Sequence, residues 1–174
     1  MGMSARGEIE LLSKIAKPDV AVITNIGEAH LMDLGSREGI AEAKLEIVKG
    51  LKKNGLFIYY GDEPLLQDRV PSLSLSTITF GESHKNDYFP TNIIQELNGT
   101  SFKIEDTEYF IPVLGKHNVC NALAAYAVAN YIEVKNGAII EGFSAIKISG
   151  MRLELVQGKN GVSVINDAYN ASPT

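Results

Sequence analysis

Short apolar runs alternate with amphipathic segments through the first eighty residues. Three runs, at 20–24, 56–60 and 76–80, are rich in β-branched and aromatic residues. Such continuous runs are typical of strands that are covered on both faces in a parallel sheet. A segment with a helical period at 8–16 precedes the first run, and a second such segment at 36–53 separates the first run from the second. The alternation predicts an α/β fold with a mainly parallel sheet and flanking helices.

The segment 36–53 carries the clearest helix signals. Ser36 stands where an N-cap is needed, and Glu38 falls in the first turn, where a carboxylate suits the helix dipole. Asn54-Gly55 provides a stop signal. In the segment 8–16, the period predicts a buried face of Ile9, Leu12, Ile15 and Ala16. In the segment 36–53, it predicts a shared apolar face of Ile40, Ala43, Ile47 and Leu51.

Residues 87–113 follow a different pattern. Three short runs with strand character, at 93–97, 102–105 and 109–113, are separated by turn residues. Asn98-Gly99 between the first two is a strong hairpin signal. These features predict a small antiparallel sheet attached to the main sheet.

In the last third of the chain, the pattern predicts helices at 117–131 and 136–147. A buried strand at 162–165 is then predicted to return to the main sheet. A carboxylate, a phenol and an amide follow that strand at Asp167, Tyr169 and Asn170. In open α/β sheets, ligands bind beyond the carboxyl ends of the strands. These residues are therefore a candidate site, although an Asx-type turn that caps a following helix explains them equally well.

The amino-acid composition indicates which partners and which cellular compartment to expect. The formal charge of −5 gives no support for nucleic-acid binding, which usually needs a basic patch. The single cysteine, Cys120, fits a reducing compartment and allows no internal disulfide. The sequence contains no run of about 18 apolar residues, as a membrane span requires, and its start lacks the pattern of a signal peptide. We therefore expect a cytoplasmic protein with no nucleic-acid or membrane partner.

Polar residues near the first strand and on the following helix are the next candidates. Asn25 follows Thr24 at the end of the strand, and His30 lies in the loop beyond it. A histidine there is either a structural residue or a ligand. Lys44 lies on the predicted helix among charged neighbours, and periodicity alone favours a solvated charged face with i,i+4 pairs.

Two later segments carry candidate binding residues. Gly115-Lys116-His117-Asn118 precedes an alanine-rich predicted helix, where Asn118 or His117 would act as the N-cap. An amide offers both a donor and an acceptor, so Asn118 can also contact a ligand. Arg152 begins a predicted strand, where it is either a solubilising surface residue or a group that binds phosphate oxygens.

Together these segments resemble the Mur ligase family of peptidoglycan synthesis. The resemblance extends from Gly2 to Pro173, and it rests on the spacing of four motifs together with the terminal one. The segments that carry it are Thr24-Asn25-Ile26-Gly27-Glu28-Ala29-His30, Ala43-Lys44-Leu45-Glu46, Gly115-Lys116-His117-Asn118, Met151-Arg152-Leu153-Glu154 and Asp167-Ala168-Tyr169-Asn170-Ala171-Ser172-Pro173. It implies a protein that uses ATP and Mg²⁺ to form an amide bond through an acyl phosphate.

Within the family, Tyr169-Asn170-Ala171 resembles the members that add D-alanyl-D-alanine to UDP-N-acetylmuramoyl-tripeptide. These two small molecules are therefore the expected substrates. One alternative is another Mur ligase or a folylpolyglutamate ligase, but such siblings carry a histidine near Asn170 or a lysine near Tyr169. The other alternative is a catalytically silent binding module. The lack of a glycine-rich phosphate loop favours it for the chain as given, whereas the intact His30, Lys44, Arg152 and Asp167 disfavour it for a longer parent protein.

The resemblance also implies roles for single residues at the metal. His30 would help to hold a magnesium ion near the γ-phosphate, partly through water, since magnesium prefers oxygen ligands. Lys44 matches the lysine that the family carbamylates with CO₂, which replaces a cation by an anionic oxygen ligand. Asn25 would shape the same loop.

For the nucleotide, the resemblance implies three contacts. Asn118 would contact the adenine, Arg152 the phosphates and Asp167 the ribose hydroxyls. Tyr169 and Asn170 would lie at the junction with the next domain.

One feature of the family is missing from this sequence. No Gly-x-x-Gly-Lys-Thr loop occurs, although such a loop supplies the N–H groups and the lysine that bind the β- and γ-phosphates. In the family that loop, a magnesium-binding glutamate and the UDP-binding domain precede the position of Met1, and a C-terminal domain follows that of Thr174. We therefore expect residues 1–174 to be a partial central ATP-binding domain that is inactive alone, with 87–113 as its antiparallel part.

Overall fold

The computed structural model describes residues 1–147, 154–166 and 168. Its helices are α1 (Glu8–Ala16), α2 (Leu31–Leu34), α3 (Arg37–Leu45), α4 (Pro64–Arg69), α5 (Lys116–Tyr131) and α6 (Asn136–Ser144). Its strands are β1 (Val20–Ile23), β2 (Leu56–Tyr60), β3 (Ser76–Phe80), β4 (Pro90–Glu96), β5 (Gly99–Ile104), β6 (Thr107–Ile111), β7 (Glu154–Gln157) and β8 (Ser163–Asn166). Short 3₁₀ helices cover Glu46–Gly50, Val70–Leu73 and Lys159–Gly161.

The parallel sheet predicted from the first three apolar runs is confirmed. Its strand order is β1-β2-β3, and both neighbouring pairs are parallel, with Val22 opposite Ile58 and Ile58 opposite Ile78. Four of the five residues of the central strand β2 are buried. The two outer strands are less covered, and Ser76 and Thr77 of β3 are exposed. The prediction of strands covered on both faces is therefore correct for β2 and wrong for β3.

Helix α1 has the predicted length but a different buried face. Ile9 and Ser13 are buried, whereas Leu12 and Ile15 are exposed. Ser13 donates a hydrogen bond to the Ile47 carbonyl and accepts one from the Gly50 N–H at 3.1 Å. The helix backbone thus approaches the 3₁₀ segment closely, and only a small side chain fits between them. Apolar periodicity alone could not indicate that a serine would face the core.

Helix α3 begins as predicted and ends earlier than predicted. Ser36 is its N-cap, and the Ser36 side chain accepts from the Gly39 N–H at 3.1 Å. The α-helix stops at Leu45 and a 3₁₀ helix replaces the last turns, so the predicted single helix 36–53 is too long. A contact between residues distant in sequence affects this end of the helix. The Glu46 carboxylate accepts from the Gly7 N–H at 2.8 and 2.9 Å and so binds the start of α1.

The antiparallel sheet predicted within 87–113 is confirmed as β4-β5-β6. The β4–β5 turn is Leu97-Asn98, and Gly99 begins β5. Its φ is +156° and an added Cβ atom would lie 2.3 Å from the Ile111 carbonyl oxygen, so the position requires glycine. Aromatic rings join this sheet to α5 and α6, with ring centroids 5.0–6.4 Å apart. The rings involved are those of Tyr88, Phe102, Tyr109, Tyr126 and Phe143.

The strand predicted at 162–165 is present, but its expected place is wrong. In the described part of the chain, β8 pairs antiparallel with β7, with Val164 opposite Val156. The side chains of Val164 and Ile165 are exposed by 49% and 60%. An apolar run predicts a strand but not its partner, since pairing is decided by the rest of the fold. None of the helices within the described ranges is long and apolar enough to cross a membrane.

Candidate functional site

A cavity of about 480 Å³ opens at the carboxyl end of β1, between the following loop, α1 and α3. This is the edge of a parallel sheet at which ligands bind in α/β folds. Three predicted site residues, Asn25, His30 and Lys44, line it together. The remaining lining comes from Met1, Gly2, Met3, Ile9, Val22, Ile23, Thr24, Gly27, Ala29 and Ile47.

Lys44 points towards the loop that follows β1. The Lys44 Nζ donates to the Asn25 carbonyl oxygen at 2.8 Å and lies 3.5 Å from the Asn25 Oδ1. Burial lowers the pKa of Lys44, and the Glu63 carboxylate opposes that shift. A larger fraction of the amine is therefore neutral than in an exposed lysine, as attack on an electrophile requires.

The alternative of a solvated charged face with i,i+4 pairs is wrong for Lys44, which is half-buried at the cavity, although Glu42 and Lys49 are exposed. Its acidic neighbours along the chain have other partners, since Glu42 pairs with Arg6 at 2.8 Å and Glu46 binds the backbone of Gly7. Lys52, at the far end of the segment, pairs with Asp19. The sequence spacing allowed i,i+4 pairs, but long-range contacts use these charges instead.

His30 lies at the rim of the cavity in an unusual backbone conformation. Its φ is +68°, in the left-handed region, and it directly precedes α2. The His30 Nδ1 lies 3.4 Å from the Asp33 carboxylate. A non-glycine residue held in this region costs of order 1–3 kcal/mol, and such residues cluster at functional sites. The imidazole is exposed at the cavity and is not a packed core histidine.

The side chains at the cavity meet part of what a magnesium ion requires. Among the described residues, no group of three or more His, Cys, Asp or Glu side chains could hold a metal. The cavity offers instead the His30 imidazole, the Asn25 oxygens and the Lys44 amine. Magnesium prefers oxygen, keeps several waters and is often bound through substrate phosphates. The residues therefore fit this ion when Lys44 carries an anionic oxygen group and phosphates complete the shell.

Asn118 lies away from the cavity lining, at the start of α5. The N-cap of α5 is Gly115, with φ of +98° and no side-chain cap bond. The Asn118 Nδ2 donates to the Leu114 carbonyl at 2.7 Å, so its side chain caps no N–H group. The predicted N-cap role of Asn118 or His117 is wrong, because the glycine takes that position and the His117 ring lies against it.

Four predicted residues cannot be placed. Arg152, Asp167, Tyr169 and Asn170 lie outside the described residues. Their proposed contacts with phosphate, ribose and the neighbouring domain stay predictions.

The sequence did not reveal an ion pair beside the cavity. The Arg37 Nη2 lies 2.8 Å from the Glu63 Oε2 and 3.1 Å from the Ile26 carbonyl oxygen. Glu63 is buried despite its charge. The signal that was available is Glu63-Pro64, since proline favours the first turn of a helix and the preceding residue is then its N-cap.

Cys120, one turn into α5, is expected to be a poor nucleophile. Burial, reinforced by the Glu82 and Asp62 carboxylates, raises the pKa of Cys120 to about 11. Because the thiolate is the reactive form, alkylation by iodoacetamide at pH 8 should be roughly a hundredfold slower than for an ordinary thiol. The rate should rise as the pH approaches 11, and unfolding in denaturant should restore ordinary reactivity. Fast alkylation of the folded chain at pH 8 would contradict the packing of α5.

Comparison with known proteins adds to this geometry. The family described as Mur ligase middle domain matches residues 1–129. The UDP-N-acetylmuramoyl-tripeptide--D-alanyl-D-alanine ligase of Bacillus subtilis strain 168 is 57% identical over 176 residues, across 100% of this chain. That match covers 38% of the relative, so the chain spans well under half of its length.

Solved structures agree with the sequence relatives. A crystal structure of MurF from Acinetobacter baumannii superposes with a TM-score of 0.91 at 34% identity, over 99% of this chain and 39% of the other. MurF from Thermotoga maritima, in complex with ADP, superposes with a TM-score of 0.84 at 32% identity, over 98% of this chain and 40% of the other. The fold and the sequence therefore lead to the same relatives.

Proposed function

The chain belongs to the Mur ligase family, and from that premise we propose that it forms part of the ATP site of a D-alanyl-D-alanine ligase. The ligase would join this dipeptide to UDP-N-acetylmuramoyl-tripeptide in peptidoglycan precursor synthesis, a proposal supported by its relatives. The single observation that carries it is the half-buried Lys44 amine, 2.8 Å from the Asn25 carbonyl in the cavity beyond β1.

The proposed reaction has two chemical steps. The terminal carboxylate of the tripeptide attacks the γ-phosphorus of ATP, which gives an acyl phosphate and ADP. The dipeptide amine then attacks the acyl carbon, and inorganic phosphate leaves as the amide forms. Both steps need charge neutralisation around the phosphoryl group and in-line positioning of the reactants.

The residues of the cavity would supply the charge neutralisation around the phosphoryl group. The neutral Lys44 amine would attack CO₂ and lose a proton to solvent, which leaves an anionic carbamate. That carbamate and His30 would hold magnesium, whose charge would offset that of the ATP phosphates. Asn25 would keep the Lys44 side chain directed at the cavity, through the hydrogen bond described above.

The nucleotide would be held by residues from later segments. Asn118 would contact the adenine, Arg152 the phosphates and Asp167 the ribose. Residues 1–174 would then be a partial central ATP-binding domain, and the UDP-binding and C-terminal domains would belong to other parts of a longer polypeptide. We propose a cytoplasmic location and no membrane or nucleic-acid partner.

The test is phosphate release by the full-length polypeptide that contains this chain. The assay supplies ATP, magnesium and UDP-N-acetylmuramoyl-tripeptide, and it compares D-alanyl-D-alanine with single amino acids as acceptors. Release that depends on the dipeptide is the expected result. Release only with a single amino acid would move the assignment to a sibling ligase, and no release with any acceptor would favour a silent binding module.

A further inference from the structure

A buried carboxylate lies beyond the end of β2. The Glu63 side chain is only 8% exposed. Its Oε2 accepts from the Arg37 Nη2 at 2.8 Å, and its Oε1 accepts from the Leu65 N–H at 3.3 Å at the start of α4. A carboxylate buried to this extent is costly unless it is paired and hydrogen-bonded. Arg37 provides the pairing charge.

The same arginine also binds the loop of the candidate site. The Arg37 Nη2 donates to the Ile26 carbonyl at 3.1 Å. Ile26 is buried and directly follows Asn25, whose own carbonyl accepts the Lys44 hydrogen bond. Arg37 is also the first residue of α3, about two turns before Lys44. One side chain therefore joins the loop after β1, the helix that carries Lys44 and the segment after β2.

We propose that Arg37 and Glu63 are positioning residues for the ligation site. They fix the Ile26 backbone, and through it the Asn25 carbonyl, at the distance that the Lys44 amine requires. Neither side chain lines the cavity, so both act through other residues. The inference rests on the proposed function, because it names what holds that site in place.

A second ion pair provides a matched control. The Lys52 Nζ binds both Asp19 carboxylate oxygens, at 2.8 and 2.9 Å. It also connects the segment after α3 to β1, but at the opposite end of the strand, and both of its side chains are exposed. Lys52→Met therefore removes an exposed ion pair near the same helix without touching the loop.

The first measurement is hydrogen exchange, resolved to single amides, on the full-length polypeptide. The Leu31, Asp33 and Leu34 amides donate to the Glu28 and His30 carbonyls of the loop. In Arg37→Met, these amides should exchange about tenfold faster, as expected for a segment that opens locally. The amides of β5 should not change, and neither set should change in Lys52→Met. Unchanged exchange at all three amides in Arg37→Met would overturn the inference.

The second measurement is ligation by the full-length polypeptide, well below its unfolding temperature. Arg37→Met should lower kcat by about 10- to 100-fold, the scale of a small misplacement of reacting groups. The KM for D-alanyl-D-alanine should change by less than about threefold. Arg37→Lys should recover part of the rate, because it keeps the charge but loses the planar fork.

A double variant separates positioning from mere stability. Arg37→Met leaves Glu63 buried and unpaired, so added Glu63→Gln should restore the thermal midpoint while kcat stays low. Recovery of kcat together with the midpoint would show a structural role only and would overturn the inference. If the wild-type polypeptide releases no dipeptide-dependent phosphate, the proposed function fails instead, and the exchange measurement alone decides whether Arg37 holds the loop.

Discussion

Lys44→Ala in the full-length polypeptide is expected to lower dipeptide-dependent phosphate release by about 10²- to 10³-fold. Removal of a preorganised group that stabilises developing charge typically lowers the rate of an enzyme by this factor. The variant removes the amine that lies 2.8 Å from the Asn25 carbonyl in the cavity. The fold should remain, since alanine is the best helix former and position 44 is in the last turn of α3.

Added short carboxylic acids test how Lys44 acts. If it works as an anionic carbamate, formate or acetate should restore part of the rate of Lys44→Ala, because each can place a carboxylate in the emptied space. Lys44→Arg keeps the cation but cannot form that carbamate, so it should be as inactive as the alanine variant and should not be rescued. Retention of the rate in Lys44→Arg would show that a cation suffices.

Lys49 provides the control for nonspecific loss of charge. It lies on the next turn, is exposed and does not line the cavity. Lys49→Ala should therefore keep the wild-type rate. Full activity of Lys44→Ala without added acids would contradict the proposed role of Lys44.

Local sequence signals were sufficient for the strands of the parallel sheet. β2 and β3 have the bounds that their apolar runs predicted, Ser36 takes the N-cap position that its chemistry suits, and a hairpin forms at Asn98-Gly99 with Gly99 as the first residue of β5. These features depend on residues only a few positions apart. For the strands, tertiary contacts do not easily override the local signal when the whole run is apolar.

The errors arise where contacts distant in sequence decide the structure. The helix predicted at 36–53 is shortened beside a glutamate that binds the start of α1, 39 residues away. A buried serine determines the packing face of α1, and no hydrophobic period contains it. The run at 162–165 forms a strand, but the pattern did not specify its partner.

The residues of the candidate site divide in the same way between local motifs and distant contacts. Asn25, His30 and Lys44 were identified because their motifs resemble a family, and the fold brings the three together at one cavity. Arg37 and Glu63 belong to none of those motifs and are separated by 26 residues. Only the packing of β1, α3 and β2 reveals that they meet.

Gly50→Ala is expected to be among the most destabilising single substitutions in the described part of the chain. A Cβ atom at this position would lie 2.1 Å from the Ser13 carbonyl carbon and oxygen and 2.5 Å from the Lys14 nitrogen. These are backbone atoms of α1, so no side chain can move aside. Overpacking commonly costs 1–3 kcal/mol, and we expect a loss of about 3 kcal/mol in the free energy of unfolding. For a chain of this size, that lowers the thermal midpoint by roughly 6–12 °C.

Gly142→Ala is the matched control for the effect of glycine itself. Gly142 lies within α6, and apart from its chain neighbours and the backbone of its own helix no atom lies within 4 Å of an added Cβ. That variant should gain roughly 0.5–1 kcal/mol, since glycine inside a helix is unfavourable. Urea unfolding followed by circular dichroism measures both changes. Since Gly50 ends the 3₁₀ helix that follows Lys44, a Gly50→Ala variant as stable as the wild type would mean that α1 does not support this side of the cavity.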